Sequence, residues 1–259
     1  MTKLLVMTDL HLTPGAERII GVDPLERFHD ALQHAARYQP DADRLILTGD
    51  LTNNGDAVSY QKLADALTGC PWPVDFLLGN LDYRGAFRTS FPDCATDPNG
   101  FVQSVVDLGH LRLITLDTLD EEGAVVEDAG YLCPSRLEWL AHQLRNTGDR
   151  PCLLFLHHPP LKTGFHAMDG IRLLNDDAFW KVVQSGPVAH ILAGHLHRNV
   201  TATVGEIPVT IFKSTCFQMP MKLGAKGYGE PVDDRGGYGI VIADSADIVV
   251  HFEDLSPSA

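Results

Sequence analysis

Six short apolar runs recur along the 259-residue chain, and they constrain its fold more than any other feature. They cover residues 4–7, 45–47, 76–78, 111–116, 153–156 and 191–193. None of them alternates polar with apolar residues, which is typical of strands buried on both faces of a sheet. The sequence therefore predicts a set of buried strands.

Helical periodicity fills several intervals between these runs, with apolar residues three or four positions apart. Four faces follow this spacing: Leu25, Phe28, Leu32 and Ala35; Tyr60, Leu63 and Leu67; Leu137, Leu140 and Leu144; Phe179, Val182 and Val183. Ser135 and Glu138 have capping-box spacing before the third face, and Asn175 is a candidate N-cap for the fourth. Repeated strand and helix predict an α/β fold, and we expect the part after Val200 to complete a sheet with short strands.

Composition limits the class of protein. A 44% hydrophobic and 21% charged chain without a long linker predicts one soluble globular domain, residues 1–259. The net charge of -14 disfavours binding to a nucleic acid polymer. No apolar run approaches the roughly 18 residues of a membrane span, no signal peptide is recognisable, and five dispersed cysteines fit a reducing compartment. We therefore expect a cytoplasmic protein that does not bind a membrane.

Polar residues follow five of the six runs, at the point where each predicted strand ends. The carboxyl ends of strands in an open α/β sheet carry its functional groups, so these side chains are expected to meet at one edge. The residues are Asp9, His11, Asp50, Asn80, His157, His195 and His197. Each motif alone has an ordinary interpretation as a turn, but five such strand ends in one chain favour a functional site.

The types of these side chains indicate the chemistry. Imidazole nitrogen with carboxylate and amide oxygen suits Mn, Fe, Co, Ni or Zn better than Mg or Ca. Seven ligands exceed the needs of one ion, but they serve two ions if one carboxylate bridges, and two ions about 3.5–4 Å apart can clamp a phosphoryl group. Gly49, Gly79 and Gly194 precede Asp50, Asn80 and His195 and are expected to allow sharp turns and close backbone approach.

The order D-x-H, G-D, G-N, H and G-H-x-H, from Asp9 to His197, resembles the calcineurin-like metallophosphoesterase superfamily. The resemblance implies a four-layer α/β/β/α sandwich of two mixed sheets flanked by helices. It also implies a dinuclear site. One ion would be held by Asp9, His11 and His197, the other by Asn80, His157 and His195, with Asp50 bridging. His158 would be the neighbour of a ligand.

Within that superfamily, several less specific stretches of the sequence most resemble those of class III cyclic nucleotide phosphodiesterases and related glycerophosphodiesterases. They include His157-His158-Pro159-Pro160 and Gly194-His195-Leu196-His197-Arg198. Two positions depart from the pattern. Leu81 stands where the family has a histidine beside the phosphate, and Phe217 stands where the glycerophosphodiesterase relatives tend to have another.

Without this imidazole, the residue that would protonate the leaving group is not identified. The question matters because general acid catalysis typically contributes 10²–10⁴-fold to the rate. His158 or His166 is a candidate substitute if its loop folds inward, with a packing or surface role as the alternative. Asp82 and Asp117 are expected to make turn or supporting hydrogen bonds.

These residues predict an enzyme that hydrolyses a small phosphodiester, a 3',5'-cyclic nucleotide being one candidate. Two divalent transition metal ions (Mn, Fe, Zn or Co) would bind the phosphate oxygens, and a metal-held hydroxide would attack phosphorus. The candidate catalytic residues are Asp50, Asn80 and His158. The alternatives are a phosphomonoesterase acting on a nucleotide or sugar phosphate, and a non-catalytic metal-binding scaffold. Residues 224–239, rich in glycine, are expected to form a lid or a homodimer contact.

Overall fold

Two mixed β-sheets form the centre of the molecule. The computed structural model describes residues 1–121, 126–224 and 227–255. Its strands are β1 (Thr2–Met7), β2 (Arg44–Thr48), β3 (Val74–Leu77), β4 (Ser104–Asp107), β5 (Arg112–Leu116), β6 (Cys152–Leu156), β7 (Val188–Ala193), β8 (Val200–Val204), β9 (Ile207–Ile211), β10 (Gly237–Ala243) and β11 (Ile248–Asp254). The first sheet has the order β11-β10-β1-β2-β3, and the second has the order β4-β5-β6-β7-β9-β8.

Helices cover the outer face of each sheet. They are α1 (Pro24–Tyr38), α2 (Ala57–Ala66), α3 (Arg84–Ser90), α4 (Pro134–Arg145), α5 (His166–Asp169) and α6 (Asp176–Val183). None of the helices in the described part of the chain is long and apolar enough to cross a lipid bilayer.

Alternate residues of the buried strands face different layers, because successive side chains of a strand point to opposite faces. In β1, Leu4 and Val6 belong to a core between the two sheets, together with Phe155 of β6. Leu5 and Met7 belong to a second core that packs under α1 and α2. A third core lies between the second sheet and the helices α4 and α6. The result is the expected four-layer α/β/β/α sandwich.

The strands that are followed by the polar candidate residues run parallel to their neighbours within each sheet. β1, β2 and β3 run parallel to one another, as do β5, β6 and β7. All six apolar runs lie in these strands or extend one residue beyond them, and the four helical faces lie in α1, α2, α4 and α6. The C-terminal part completes both sheets rather than one, with β8 and β9 in the second and β10 and β11 in the first.

Both expected helix caps differ in detail. The helix α4 begins at Pro134 after an N-cap at Cys133, so Ser135 lies inside the first turn and the capping-box prediction is wrong. Proline at the first helical position fixes this start. Asn175 is the N-cap of α6, but its side chain makes no capping bond. It instead pairs with both backbone groups of Leu132, at 3.0 and 2.7 Å.

The glycine-rich segment 224–239 is described only in part, since residues 225 and 226 lie outside the described residues. Gly237 to Gly239 open the strand β10. A Cβ at Gly239 would collide with the ring of Phe212, so glycine is required there for contact between the two sheets.

Candidate metal centre

The loops after β1, β2, β3, β6 and β7 converge at one edge of the two packed sheets. Two clusters of buried side chains form there, one of Asp9, His11 and His197 and one of Asp9, Asp50 and His157. Within each cluster one ligand atom per residue lies within 4.8 Å of the others. The structure therefore brings together these candidate ligands from strand ends as far apart in sequence as Asp9 and His197.

The first cluster is the tighter of the two. His11 Nε2 lies 3.0 Å from His197 Nε2, and His197 Nε2 lies 3.3 Å from Asp9 Oδ1. Two imidazole nitrogens and a carboxylate oxygen at these separations point at one common position.

Asp50 belongs to the second cluster, and its two carboxylate oxygens face different histidines. Oδ1 is 3.6 Å from His157 Nε2, whereas Oδ2 is 3.9 Å from His11 Nε2. A carboxylate that presents one oxygen to each side has the arrangement required of a bridging ligand. Its position is fixed by the backbone N–H of Leu81, which donates to Oδ1 at 2.9 Å.

Asn80 and His195 complete the set of candidate ligands. Asn80 donates from Nδ2 to Asp128 Oδ1 at 3.4 Å, and its Oδ1 is buried without a hydrogen-bond partner in the described part of the chain. The ring of His195 lies 5.1 Å from that of His157, and its Nε2 is likewise buried with no partner among the described residues. The backbone N–H of His195 donates to Asp9 Oδ2 at 3.1 Å, which ties the loop after β7 to the loop after β1.

The backbone at this edge is strained. Positive φ angles occur at seven non-glycine residues of the described chain, and five of these are candidate ligands: Asp9 (54°), His11 (52°), Asp50 (46°), His195 (72°) and His197 (50°). Such conformations cost of order 1–3 kcal/mol each and cluster at functional sites. The concentration of strain at the ligands supports a function for this edge.

The preceding glycines are needed for close approach, as the sequence predicted. A Cβ at Gly49, whose φ is +98°, would lie 2.5 Å from His157 Nδ1. A Cβ at Gly79 would collide with Asp50 Oδ1, and one at Gly194 would collide with Thr8 Oγ1. Side chains at these positions would push the ligands apart.

Three of the candidate histidine ligands are oriented in the same way, with an oxygen atom within hydrogen-bond distance of Nδ1. His157 Nδ1 is 2.8 Å from the carbonyl of Thr48, and His197 Nδ1 is 2.8 Å from the carbonyl of Phe217. His11 Nδ1 is 3.2 Å from Asn53 Oδ1. An acceptor on Nδ1 keeps a proton there, so the Nε2 lone pair is free in the neutral ring, which is the usual arrangement for metal-binding histidines.

Burial and charge set the ionisation of the cluster. Burial lowers the pKa of His11 to about 4, with the neighbouring His197 adding to the effect. Burial also lowers the pKa of His195 to about 3, together with His157. His157 is the exception: burial opposes its charged form, but the carboxylates of Asp50 and Asp9 raise its pKa to about 9. His157 must therefore lose a proton before its Nε2 can bind a cation.

The two carboxylates remain ionised. Burial alone would raise both pKa values, but His197 lowers the pKa of Asp9 and His157 lowers the pKa of Asp50 well below the usual range. Two buried carboxylates this close together repel each other, and positive charge between them relieves the repulsion.

These observations test whether a metal fits. Four buried atoms of candidate ligands have no hydrogen-bond partner among the described residues: Asp9 Oδ1, Asn80 Oδ1, His157 Nε2 and His195 Nε2. Unpaired buried polar atoms are costly, and divalent cations bind all three kinds of atom present here. The donor set of imidazole, carboxylate and amide is the one that transition metals prefer. The residues fit a divalent metal centre.

Asp82 and Asp117 have the supporting roles expected from the sequence. Asp82 accepts hydrogen bonds from the backbone N–H groups of Leu51 and Gly79, at 3.1 and 3.0 Å, so it joins the loops after β2 and β3. Burial, followed by the charge of Asp50, raises its pKa to about 7. Asp117 is fully buried in an ion pair with Arg84 at 2.9 Å. Neither belongs to a metal-binding cluster of the described residues.

The two candidate substitutes for the missing imidazole lie in different places. His158 is fully buried, with its ring 4.8 Å from the ring of His195. His166 is exposed on the short helix α5 and belongs to no cluster in the described part of the chain. Phe217 packs against the rings of His11 and His197, at 4.9 and 4.5 Å.

Some contacts of the site were not anticipated. Asn53 Oδ1 lies 3.2 Å from His11 Nδ1, and Asp128 accepts a hydrogen bond from Asn80. Thr118 Oγ1 lies 2.8 Å from His158 Nδ1. These residues lie in loops with no motif of their own. A positive φ at Asp128 is visible only in the structure.

Comparison with known proteins agrees with this geometry. The family model described as Calcineurin-like phosphoesterase matches residues 2–199, about three quarters of the chain. The chain belongs to this family. It is a phosphoric ester hydrolase.

Two relatives of this calcineurin-like phosphoesterase carry more specific names. It is 38% identical to a probable cyclic nucleotide phosphodiesterase of Rhodopseudomonas palustris, over 96% of this chain and 91% of the relative. It is 31% identical to the 3',5'-cyclic adenosine monophosphate phosphodiesterase CpdA of Vibrio vulnificus, over 85% of this chain and 78% of the relative. A solved dimetal phosphatase from Danio rerio matches its fold with a TM-score of 0.75 at 14% identity, over 98% of this chain and 96% of that chain.

Proposed function

We propose that this phosphoesterase hydrolyses a small phosphodiester, with a 3',5'-cyclic nucleotide as the candidate substrate, and that it uses two divalent transition metal ions. The observation that carries the proposal is the position of Asp50, whose two carboxylate oxygens face two separate groups of ligand atoms. The names of the relatives from Rhodopseudomonas palustris and Vibrio vulnificus support a cyclic nucleotide as substrate.

The chain divides its ligands between the two positions. Asp9, His11 and His197 would hold one ion and Asn80, His157 and His195 the other, with Asp50 shared. When bound, the two ions supply Lewis-acid stabilisation of the phosphoryl charge and a nucleophile near neutral pH. Mn, Fe, Zn and Co all suit this donor set.

The residues themselves prepare the site for an anion. Asn80 contributes a neutral amide oxygen where a carboxylate would add negative charge, so its side of the site repels a phosphodiester less. The backbone N–H of Leu81 donates to Asp50 Oδ1 at 2.9 Å, and oxygen atoms contact Nδ1 of His11, His157 and His197. Rigid prepositioning of this kind lowers the reorganisation needed during the reaction.

Diester preference is tested with bis-p-nitrophenyl phosphate and p-nitrophenyl phosphate, both assayed with Mn. We expect a higher kcat/KM for the diester. Preference for the monoester would support the phosphomonoesterase alternative, and absence of turnover with either ester and with cyclic nucleotides would support the scaffold alternative.

The bridging role is tested with Asp50→Asn. Because the amide carries no negative charge, we expect the bound metal to fall from two equivalents to one or fewer and kcat to fall at least about 100-fold. Asp97→Asn is a matched control, since Asp97 is also buried but accepts its hydrogen bonds from residues 99–103. Metal content is measured by mass spectrometry after dialysis. Two tightly bound equivalents in Asp50→Asn would overturn the bridging assignment.

Three further expectations from the sequence remain predictions and form part of this proposal. They are a single domain over residues 1–259, a cytoplasmic location and a homodimer. Size-exclusion chromatography with light scattering measures the last directly.

A further inference from the structure

His158 is the one imidazole of the site that the resemblance leaves without a role. It follows His157 at the end of β6, and it is fully buried. One ligand nitrogen from each of His157, His158 and His195 lies within 4.8 Å of the others. These three rings therefore form a third cluster beside the two that contain Asp9.

The orientation of His158 is that of the candidate ligands. Its Nδ1 is 2.8 Å from Thr118 Oγ1, just as His157, His197 and His11 each have an oxygen at Nδ1. Its Nε2 is buried and has no hydrogen-bond partner among residues 1–121, 126–224 and 227–255, and the same holds for the Nε2 atoms of His157 and His195. When the threonine hydroxyl accepts the proton of Nδ1, the Nε2 lone pair is free, and that arrangement suits an imidazole that binds a metal.

The chain also makes room for this ring. A Cβ at Gly130 would lie 2.5 Å from His158 Cγ, so the backbone of Gly130 packs directly against the imidazole. The backbone carbonyl of Asp128 also lies near the ring, together with His157, His195 and Asp50. Among the residues that the structure describes, Nε2 has no hydrogen-bond partner, so it is a buried, unsatisfied polar atom.

We infer that His158 is an additional ligand of the ion held by His157 and His195. This inference rests on the proposed function, because it requires a metal at that position. It assigns three imidazoles, the Asn80 amide and the Asp50 carboxylate to one ion. The other ion keeps two imidazoles and two carboxylates.

Ligation explains the burial of His158 better than proton donation does. A proton donor to the leaving group must reach the substrate, whereas His158 has no exposed surface. A donor set with three imidazoles is richer in nitrogen, which favours Zn or Co over Mn at that position. The two positions are therefore expected to differ in metal preference.

The variant His158→Gln tests the assignment through metal binding instead of turnover. We expect its affinity for the more weakly bound Co²⁺ or Zn²⁺ equivalent to fall by at least about 10–100-fold. That is the loss in metal affinity that follows when a residue hydrogen-bonded to a metal ligand is removed, and removal of a ligand itself should cost no less. Isothermal titration of metal-free protein measures both equivalents. His190→Gln is the matched control, because His190 is also buried and also bonds a threonine hydroxyl, with Nε2 2.8 Å from Thr210 Oγ1, away from the site.

The wild-type protein provides a second measurement that needs no folded variant. Loaded with Co²⁺, it should give five paramagnetically shifted, exchangeable imidazole N–H signals, from His11, His157, His158, His195 and His197. Four signals, or an unchanged affinity in His158→Gln, would overturn the assignment while leaving a dinuclear phosphodiesterase intact. Failure of wild-type protein to bind two equivalents would instead overturn both this assignment and the proposed function.

Discussion

Leu81 contacts the candidate bridging carboxylate through its backbone, but it has no side chain that could transfer a proton. Its backbone N–H donates to Asp50 Oδ1 at 2.9 Å, a contact that any residue at this position can make. The imidazole that the family pattern places beside the phosphate is absent. The substitution therefore leaves the metal ligands in place and removes a candidate proton donor to the leaving group.

Leu81→His is expected to restore that donor. We predict that kcat rises by up to about 10²-fold for diesters with alkyl leaving groups, which need protonation, and changes little for p-nitrophenyl esters, which do not. Leu81→Met, similar in volume, is the control and should leave both rates unchanged. An equal gain for both leaving groups would contradict the prediction, because it would indicate a change in metal binding.

At the scale of loops, Asp82 is the residue that joins two ligand-bearing elements. Its carboxylate accepts from Leu51 and Thr52 after β2, from Gly79 after β3 and from the hydroxyl of Tyr60 in α2, at 3.0–3.3 Å. The Asp82 side chain, which is itself outside the metal clusters of the described residues, therefore adds to the Leu81–Asp50 contact in fixing the positions of Asp50 and Asn80 relative to each other.

Asp82→Ala is expected to separate the two loops. Three buried backbone N–H groups would lose their acceptor, so we predict a fall in the free energy of unfolding of at least about 1–3 kcal/mol. Metal affinity should fall as well, whereas Asp56→Ala, which removes only the N-cap of α2, should lower stability by about 1 kcal/mol without affecting metal affinity. Urea unfolding and metal titration provide the two readouts. Unchanged metal affinity in Asp82→Ala would show that the loops hold their positions independently.

The burial of each strand and helix decides whether the sequence could predict it. The strands β1, β2, β6 and β7 were predictable because they are almost entirely buried and their central residues are continuously apolar, whereas the edge strand β3 is only partly buried and shows a shorter apolar run. The edge strand β4 was missed because its residues are only half-buried or exposed, and α3 because it is one short helix with a single fully buried residue, Phe87. The capping box failed because Pro134, which starts α4, is a stronger signal than Ser135.

The site was predictable to a similar extent. Seven candidate ligands follow strand ends, so the topology alone brings them to one edge. Thr118, Asn53 and Asp128 were not predictable, because packing between elements distant in sequence decides which loop residues contact them. The orientation of His158 could not be read from the sequence for the same reason.

At the scale of the whole molecule, a histidine far from the metal centre links stability to pH. Burial lowers the pKa of His190 in β7 to about 4, whereas an unfolded chain has a value near 6.5. Between these two values the unfolded state binds more protons than the folded state. The free energy of unfolding therefore falls as the pH is lowered through this window.

His190→Gln should remove this part of the pH dependence. We predict that wild-type protein loses up to about 3 kcal/mol more stability than the variant between pH 6.5 and 4. Denaturant unfolding at a series of pH values, with chelator present throughout, measures the difference. His251→Gln, at an exposed position, is the control and should follow the wild-type profile. Parallel profiles for wild type and His190→Gln would contradict the prediction.

The strand order also affects how the protein is made. The strand β1, which leads into Asp9 and His11, pairs on one side with β2 and on the other with β10, near the opposite end of the chain. During translation the first strand is therefore synthesised about 230 residues before its antiparallel neighbour. Until Gly237–Ala243 leaves the ribosome, one side of β1 is an open edge on which another nascent chain can pair. Completion of the first sheet must therefore follow synthesis of nearly the whole polypeptide.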